Sequence, residues 1–437
     1  MSPQTSAAPR QQSSLKKIYL LALVEFATYG ALVAPSAVAL SLKVLELVPA
    51  GQKEGALALV TAVGGATALV TNPLFGGLSD RTRGRFGRRR PWIAAGIVVG
   101  LMGAGVMLVA PSIVVLTIGW MIAQAGYNAT FAALNAMLAE QVDDDDRGRA
   151  SGIFGAASGL GMLSSYALAA VFATHLPAMF LTMPAIAVVI VVLVCLLVRD
   201  PMPLGDIPRV TARSVLTSFV FNPKEAPTFA FVALQRFIMQ TGYTLVSAFG
   251  LYFLMLRMDM PVVEATQLTL LIGIITLVLM SAVSWGIGFV ASRHSRYGAY
   301  FVTAIAVMAA SLMISAFTQS LVLYLVGVLL SGIAMGIYFS VDLAVVMRTL
   351  PAGREGKFLG IFNMAKTLPQ TIAPALAPLL LMVGSGDPVA GGDKNYMALY
   401  LFATAGVVLS VFAIIGFRTK LNPPAVPAVE NTKELIP

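Results

Sequence analysis

Long apolar runs separated by short polar segments are the dominant pattern along this chain. An apolar run of about 20 residues, wound as an α-helix, crosses a hydrocarbon core of about 30 Å. Twelve runs of this kind occur, and we predict a transmembrane helix for each of them. The predicted spans are residues 17–41, 56–79, 91–110, 112–141, 148–174, 178–198, 227–256, 262–291, 297–318, 320–349, 356–383 and 396–417.

The composition excludes a water-soluble protein. Only 11% of the 437 residues are charged and 58% are hydrophobic, whereas about a quarter of the residues of a soluble chain are charged. The net charge of +9 would indicate a nucleic-acid partner in a soluble protein, but in a membrane protein it reflects the topology of the loops. We therefore expect a multi-pass membrane protein with no nucleic-acid partner.

The distribution of positive charge predicts the orientation. If both termini are cytoplasmic, 23 of the 29 Lys and Arg residues fall in cytoplasmic segments, four fall outside and two fall within spans. Cytoplasmic loops are the ones that carry an excess of Lys and Arg. We predict a protein of the plasma (inner) membrane with both termini in the cytoplasm.

Two internal matches indicate that the chain is a tandem repeat. The stretch 148–154 resembles 356–362 at an offset of 208, and Asp80-Arg81 matches Ser292-Arg293 at an offset of 212. Parallel repeats of this kind are typical of transporters whose site lies between the halves. The predicted organisation is a cytoplasmic tail (1–16), a six-helix bundle (17–198), a cytoplasmic linker (199–226), a second six-helix bundle (227–417) and a disordered cytoplasmic tail (418–437).

Small residues suggest where helices approach each other closely. Gly96 and Gly100 lie four residues apart in the third span, and Gly155 and Gly159 do so in the fifth. This spacing is typical of close helix packing in membranes.

The segment between the second and third spans is the strongest motif. It runs from Gly76 to Trp92 as Gly-Gly-Leu-Ser-Asp-Arg-Thr-Arg-Gly-Arg-Phe-Gly-Arg-Arg-Arg-Pro-Trp. It strongly resembles the inner-loop signature of the major facilitator superfamily, in the longer variant of plant sucrose-proton symporters and glycoside-pentoside-hexuronide cation symporters. The resemblance extends over about residues 15–420. It implies an all-α membrane fold of twelve helices in two pseudo-symmetric bundles, and transport by alternating access.

The resemblance also implies a cytoplasmic gate. In that superfamily the Asp and Arg residues of the loop form the gate, and the Asp faces the start of the eleventh helix. Here that start is near Gly356, where the helix dipole favours a carboxylate. A basic loop that serves topology alone is the alternative. The implied gate residues are Asp80, Arg81, Arg85, Arg88 and Arg89.

Four charged side chains lie within the predicted spans: Glu25, Arg236, Asp342 and Lys366. Counting from the nearest inner ends places them roughly 9–14 Å deep at 1.5 Å per residue. Charges at membrane depth are rare and costly, so each is a functional candidate. We predict that protonation of either acid weakens its pairing with a base and so couples a proton to transport. Permanent salt bridges are the alternative.

Polar and aromatic side chains share helix faces with these charges or form stripes of their own. Amides and phenols can bind a neutral hydroxylated solute, while an aromatic ring covers its apolar face. The same amides could instead serve only as contacts between helices. The candidate substrate-binding residues are Tyr29, Gln124, Asn128, Asn135, Arg236, Gln240, Tyr243, Tyr338, Asn363 and Gln370.

The chain departs from both relatives at their coupling sites. Plant sucrose symporters carry an Asp and an Arg in the fourth helix, where this chain has Gln124 and Asn135. Sodium-coupled glycoside symporters place acids in the second helix, but residues 56–79 contain none. The resemblance therefore supports transport better than it supports sucrose or a particular ion.

We predict a secondary transporter that carries out proton-coupled symport of a small hydroxylated solute such as a sugar or glycoside. It is expected to function as a monomer without a cofactor or metal. The alternatives are a proton-coupled exporter of amphipathic compounds and a non-transporting membrane assembly factor. An enzyme is not expected, because no phosphate-loop, zinc-protease or nucleophile-elbow motif occurs.

Overall fold

The computed structural model is all-helical and describes residues 15–142, 147–198, 200, 222–294, 297–350 and 355–416. A π-helical turn, Pro35–Ala39, joins the first two helices, and a 3-10 turn, Ala50–Gln52, precedes the third. The α-helices of the described residues are α1 (Leu15–Ala34), α2 (Leu40–Leu47), α3 (Lys53–Arg81), α4 (Arg90–Leu108), α5 (Ile113–Gln141), α6 (Arg147–Val171), α7 (Leu176–Leu197), α8 (Pro227–Ser247), α9 (Gly250–Arg257), α10 (Val262–His294), α11 (Tyr297–Phe317), α12 (Leu321–Met347), α13 (Glu355–Leu381) and α14 (Tyr396–Ile415).

All the predicted spans are helical, with bounds close to the predicted ones. Within the described ranges, ten helices are long and apolar enough to cross a membrane, and α8 with α9 makes an eleventh span bent by 45°. The twelfth long helix, α13, falls outside this set. It carries Lys366 and three internal prolines, yet it packs against α3, α8 and α14 as a member of the bundle.

The first and seventh spans are interrupted at equivalent places. The first changes to a π-helical turn at Pro35, whose ring removes a backbone donor, and the seventh breaks at Ala248–Phe249. Adding the repeat offset of 212 to Ser36 gives Ala248. The tandem repeat therefore extends to the bends of these two helices.

Close packing within the first half depends on glycine. A Cβ atom on Gly96 would lie 2.6 Å from the Gly126 carbonyl oxygen, and one on Gly100 would lie 2.2 Å from the Tyr127 ring. These contacts confirm the first predicted packing pair. The second prediction is wrong for this conformation, because a Cβ atom on Gly155 or Gly159 would meet no described atom within 4 Å.

The two ends of the bundle differ in how the halves meet. We call the end with the loop 82–89 the basic end, and the end with residues 48–52, 109–112 and 382–395 the far end. Contacts between the halves in the described part of the chain include several in the part nearer the far end. They join Tyr252 to Ser41, Lys394 to Gly51, Thr371 to Gly65, and Tyr166 to Gly273.

Some predicted regions lie outside the described residues. These are positions 1–14, 143–146, 199, 201–221, 295–296, 351–354 and 417–437. They include most of both predicted tails and of the predicted linker. The predicted domain boundaries therefore stay predictions.

Candidate functional site

A buried ion pair forms the centre of the second half. Nη1 of Arg236 on α8 lies 2.6 Å from Oδ2 of Asp342 on α12. Arg236 is 7% exposed and Asp342 is 2% exposed. Each charge therefore offsets much of the other's cost of leaving water.

Aromatic and polar neighbours complete this pair. The hydroxyl of Tyr338 lies 2.8 Å from Oε1 of Gln235 and 3.1 Å from Oδ1 of Asp342, so its single proton serves one acceptor at a time. The Arg236 guanidinium also lies 3.8 Å from the ring centroid of Phe362 on α13. Arg236 thus ties together three helices of its half.

The other two predicted charges face the same region. Glu25 on α1 is 8% exposed, and its Oε2 has no hydrogen-bond partner among the described residues. Lys366 on α13 interacts electrostatically with Glu25, Arg236 and Asp342. The structure thus brings all four predicted intramembrane charges to the junction between the halves.

Amides and aromatic rings line the first half near this junction. Nδ2 of Asn128 lies 2.8 Å from the carbonyl oxygen and 3.2 Å from Oε1 of Gln124. Nδ2 of Asn72 on α3 lies 3.2 Å from Oδ1 of Asn128. The rings of Tyr29 and Phe131 meet at a centroid distance of 4.7 Å. This wall offers amide donors and acceptors beside an aromatic surface.

Two further predicted residues indicate an open path. Asn135 on α5 and Gln370 on α13 continue the faces of Asn128 and Lys366, and both side chains are exposed. An amide exposed at membrane depth is costly in lipid and is tolerated in a water-filled cavity. The polar faces therefore favour a hydrated cavity between the halves.

Three predicted site residues are placed less centrally or are not described. Gln240 is buried further along α8, and Tyr243, half-buried one turn beyond it, interacts electrostatically with Tyr166 of α6. The side chain of Asn363 lies outside the described residues.

A second charge cluster lies at the basic end. The Arg89 guanidinium pairs with Asp80, lies 2.5 Å from Oε1 of Glu140 and donates to Oγ of Ser79 at 2.5 Å. Arg88 also pairs with Glu140. These contacts join three predicted gate residues within the first half. Glu140 at the end of α5, the common partner of Arg88 and Arg89, is not among the predicted gate residues, although an acid opposite a basic loop was a usable signal.

The remaining gate predictions concern two residues, Arg81 and Arg85, and the expected contact of Asp80. The Arg85 guanidinium lies 4.7 Å from the centroid of the neighbouring Phe86 ring, and Arg81 ends α3. The expected contact of Asp80 with the start of the eleventh helix involves residues 351–354 and side chains up to Lys357, which lie outside the description.

An acid after the sixth span holds the basic loop in place. Oδ2 of Asp200 accepts from the backbone nitrogen atoms of Arg89 at 2.5 Å and Arg90 at 3.1 Å, as a cap at the start of α4. Gly87 has φ +93°, and a Cβ atom there would lie 2.5 Å from this carboxylate. Only glycine adopts this positive φ readily and leaves room for the Asp200 carboxylate. The sequence analysis had assigned Asp200 to the linker.

Two polar residues near the central site were also missed. Asn72 lies in the second predicted span, and it is not among the candidate residues. Gln235 is 1% exposed and adjacent to Arg236, but it lies on another helix face. Treating every amide at membrane depth as a candidate would have found both.

Solved structures with the same architecture are transporters. A variant of the nucleoside transporter NupG superposes with a TM-score of 0.72 at 12% identity, covering 92% of this chain and 99% of that one. A bacterial homologue of the human lysosomal transporter Spinster, inward-facing and occupied, gives 0.68 at 15% identity, covering 95% and 97%. A D-xylose-proton symporter gives 0.68 at 16% identity, covering 92% and 97%. At these identities the likeness concerns the fold.

Sequence comparison gives the family. No curated protein matches the chain. The profile described as Major Facilitator Superfamily matches residues 18–374 and, in a second match, 286–436, which together span most of the chain. With the helical bundle and the loop motif, this shows that the chain belongs to the major facilitator superfamily of membrane transporters.

Proposed function

We propose that this protein is a secondary active transporter that carries a small hydroxylated solute, a sugar or glycoside, together with protons. The observation that carries the proposal is the group of four intramembrane charges between the halves. Such a group responds both to protonation and to relative movement of the halves. The loop motif favours the branch of sucrose-proton and glycoside-pentoside-hexuronide symporters.

The predicted topology makes the basic end the cytoplasmic side, because that end holds most of the Lys and Arg residues. Contacts between the halves near the far end and the exposed amides of Asn72 and Asn135 toward the basic end are what a cavity open to the cytoplasm requires. We therefore assign this conformation to the inward-facing state of a monomer in the plasma membrane.

The solute is expected to lie between the amide wall of the first half and the ion pair of the second. Asn128 and Gln124 can exchange their mutual hydrogen bonds for bonds to hydroxyl groups, and the Tyr29–Phe131 pair can cover the apolar face of a sugar ring. Two of the similar structures are a nucleoside transporter and a xylose-proton symporter. Nucleosides and xylose both contain a hydroxylated sugar ring, which supports this class of solute.

Proton coupling is assigned to Glu25 and Asp342. Glu25 has a carboxylate oxygen without a hydrogen-bond partner among the described residues, so it can take up a proton without first breaking a hydrogen bond there. Protonation cancels its attraction to Lys366, which belongs to the other half. A proton taken up by Glu25 would therefore weaken a link between the halves and favour their rearrangement, whereas a proton on Asp342 would weaken its pair with Arg236 within the second half.

Purified protein in liposomes tests the proposal. Candidate mono- and disaccharides and nucleosides are first screened by thermal shift against the parent, Arg236→Ala and Asn128→Ala. A shift in the parent that both variants lose supports the site. Uptake of the labelled hit should then make the external medium alkaline, and a pH trace that stays flat during uptake rejects proton symport. A drug-susceptible deletion strain without a sugar growth defect would instead support the exporter, and a stoichiometric partner without any flux would support an assembly factor.

A further inference from the structure

The far end contains a polar contact between the halves that is separate from the central site. We propose that Glu54, Lys394 and Tyr252 form a latch, here called the far-end latch, which holds the halves together while the extracellular side is closed and releases when it opens. The proposal rests on the alternating access proposed above. Its residues lie at the far end of the bundle, whereas the four central charges lie deeper within the predicted spans.

Buried contacts hold the loop that carries Lys394 against the rest of the second half. In the loop between α13 and α14, Oδ2 of Asp387 lies 3.4 Å from Nη1 of Arg257, and both side chains are buried. Nη2 of Arg257 donates to the Ala316 carbonyl oxygen at 2.6 Å. Nδ2 of Asn395 donates to the Val383 carbonyl oxygen at 2.8 Å. Lys394 therefore sits on a loop that is tied to its own half.

Lys394 reaches across to the first half. Its Nζ lies 3.3 Å from the carbonyl oxygen of Gly51 and 4.0 Å from Oε2 of Glu54. The lysine is partly exposed, whereas the glutamate side chain is almost fully buried. The contact therefore places a partly hydrated cation of the second half against a desolvated anion of the first half.

Tyr252 on α9 makes the second arm. Its hydroxyl donates to the carbonyl oxygen of Ser41 at 3.1 Å, and Nζ of Lys53 lies 5.2 Å from the centroid of its ring. Both partners belong to the first half. Because α9 follows the 45° bend of the seventh span, straightening or swinging this short helix would remove both contacts together.

The lack of hydrogen bonds to the Glu54 carboxylate from described residues explains why this contact can open. Neither carboxylate oxygen has a hydrogen-bond partner in the described part of the chain, and the side chain borders a cavity of about 160 Å³ with Arg257, Asp387 and Lys394. A buried carboxylate without hydrogen bonds regains hydration when the site opens. Attraction to Lys394 favours closure and hydration of Glu54 favours opening, so the two states stay close in free energy.

The chain offers a matched control at the same end. Nζ of Lys43 lies 3.0 Å from Oε2 of Glu46 in α2, so this pair has the same chemistry and lies wholly within the first half. Lys43→Glu and Lys394→Glu each place a second negative charge beside a glutamate. Only the second change introduces repulsion between the halves.

Thiol labelling from the extracellular side tests the latch. The single native cysteine is removed by Cys195→Ser, and Ala58→Cys is introduced one turn from Glu54 on the same face of α3, where the native side chain is 4% exposed. A membrane-impermeant maleimide then reports opening of the far end. We expect Lys394→Glu to raise the labelling rate about three- to tenfold, Tyr252→Phe to raise it less, and Lys43→Glu to leave it unchanged.

The double variant Glu54→Lys with Lys394→Glu should return labelling toward the parent rate. Parent-level labelling in Lys394→Glu, an equal rise in Lys43→Glu, or a double variant that stays as open as Lys394→Glu would each overturn the latch. If Lys394→Glu does not give a monodisperse protein, Lys394→Gln and Tyr252→Phe provide the same comparison. Uptake is measured in parallel. If the protein takes up solute but Lys394→Glu leaves the labelling rate at the parent value, the latch alone is rejected. If Lys394→Glu raises the labelling rate but the protein takes up no solute, the latch is supported and the proposed transport is rejected.

Discussion

The two helical walls that carry the four central charges are built on opposite principles. In the second half, Arg236 and Asp342 form a buried pair that is supported by Tyr338 and by the Phe362 ring. In the first half, Glu25 keeps an oxygen without a partner among the described residues, and the neighbouring polar groups are neutral amides. The acid of the second half has its counter-charge in the same half, and we call this side the compensated wall; the counter-charge of Glu25 is Lys366 of the other half, and we call its side the open wall.

This difference suggests a division of labour. A compensated pair is expensive to break, so it serves best as a fixed electrostatic surface and as a link among its helices. A carboxylate with a free oxygen and amides bonded only to each other can change partners at low cost. We therefore expect the solute and the proton to act first on the first half, and the response to reach the second half through Lys366.

The largest effect is expected from breaking the compensated wall. Asp342→Ala leaves Arg236 buried without its partner, at a cost of about 3–5 kcal/mol, so uptake should be lost and the melting temperature should fall. The double change Arg236→Gln with Asp342→Asn removes both charges and should recover much of the thermal stability without recovering uptake. Thermal unfolding and uptake are measured on the same samples. A stable, active Asp342→Ala would show that the pair is dispensable.

Removing the charge of Glu25 from the open wall should affect uptake but not stability. Glu25→Gln is expected to reduce proton-driven uptake about tenfold, which corresponds to about 1.4 kcal/mol, because the amide cannot exchange a proton. Solute exchange without a proton gradient should continue, and the melting temperature should change little. The two modes of transport are compared in proteoliposomes. Equal loss of exchange and uptake would assign Glu25 to solute binding or structure instead.

The amides of the open wall should contribute smaller, graded effects. Asn72→Ala removes the donor to Asn128, and we expect a loss of solute affinity of about fivefold, near 1 kcal/mol for one hydrogen bond. Asn128→Ala should cost more, because it removes bonds on both sides. Binding isotherms with the solute identified by thermal shift measure both. Parent affinity in both variants would mean that this amide chain only joins helices.

The smallest effect on stability is expected from Gly155→Leu on α6. This variant also tests whether the two halves move relative to each other. Gly155 faces open space in this conformation, so Gly155→Leu should change the free energy of unfolding by no more than about 0.5 kcal/mol. If α6 must close against the other half during the cycle, uptake should nevertheless fall. Gly96→Leu is the control, because tight packing there predicts a clear loss of stability. Full uptake in Gly155→Leu would show that this face stays open throughout.

The features that the sequence predicts correctly are those that depend on neighbouring residues. Insertion of a helix depends on the summed hydropathy of about 20 neighbouring residues, so the span bounds agree with the helices to within a few residues at most ends. The sequence also located the four central charges, because each one is conspicuous in an apolar run. It also predicted α13 within two residues at each end, although the three prolines and Lys366 make this helix more polar than the other spans.

What the sequence analysis missed depends on contacts between distant segments. Asn72 lies 56 residues from its partner Asn128, and Asp200 lies 111 residues from the Arg89 backbone that it caps. Gly155 has the spacing of a packing motif, but a Cβ atom there would meet no described atom within 4 Å. Side-chain pairing of this kind follows from which helices pack together, and a local pattern contains no information on that choice.

Hydropathy, charge placement and repetition along the chain are thus sufficient for the membrane location, the helical plan and the identity of the charged candidates, since each depends on residues taken singly or in short windows. Only the tertiary structure decided the pairing of Arg236 with Asp342, the contact of Lys394 with Glu54, and the lack of a hydrogen-bond partner for Oε2 of Glu25 among the described residues. The physical reason is that a charge in a membrane must find its partner in three dimensions. The packed helices choose that partner from residues that lie up to several hundred positions apart.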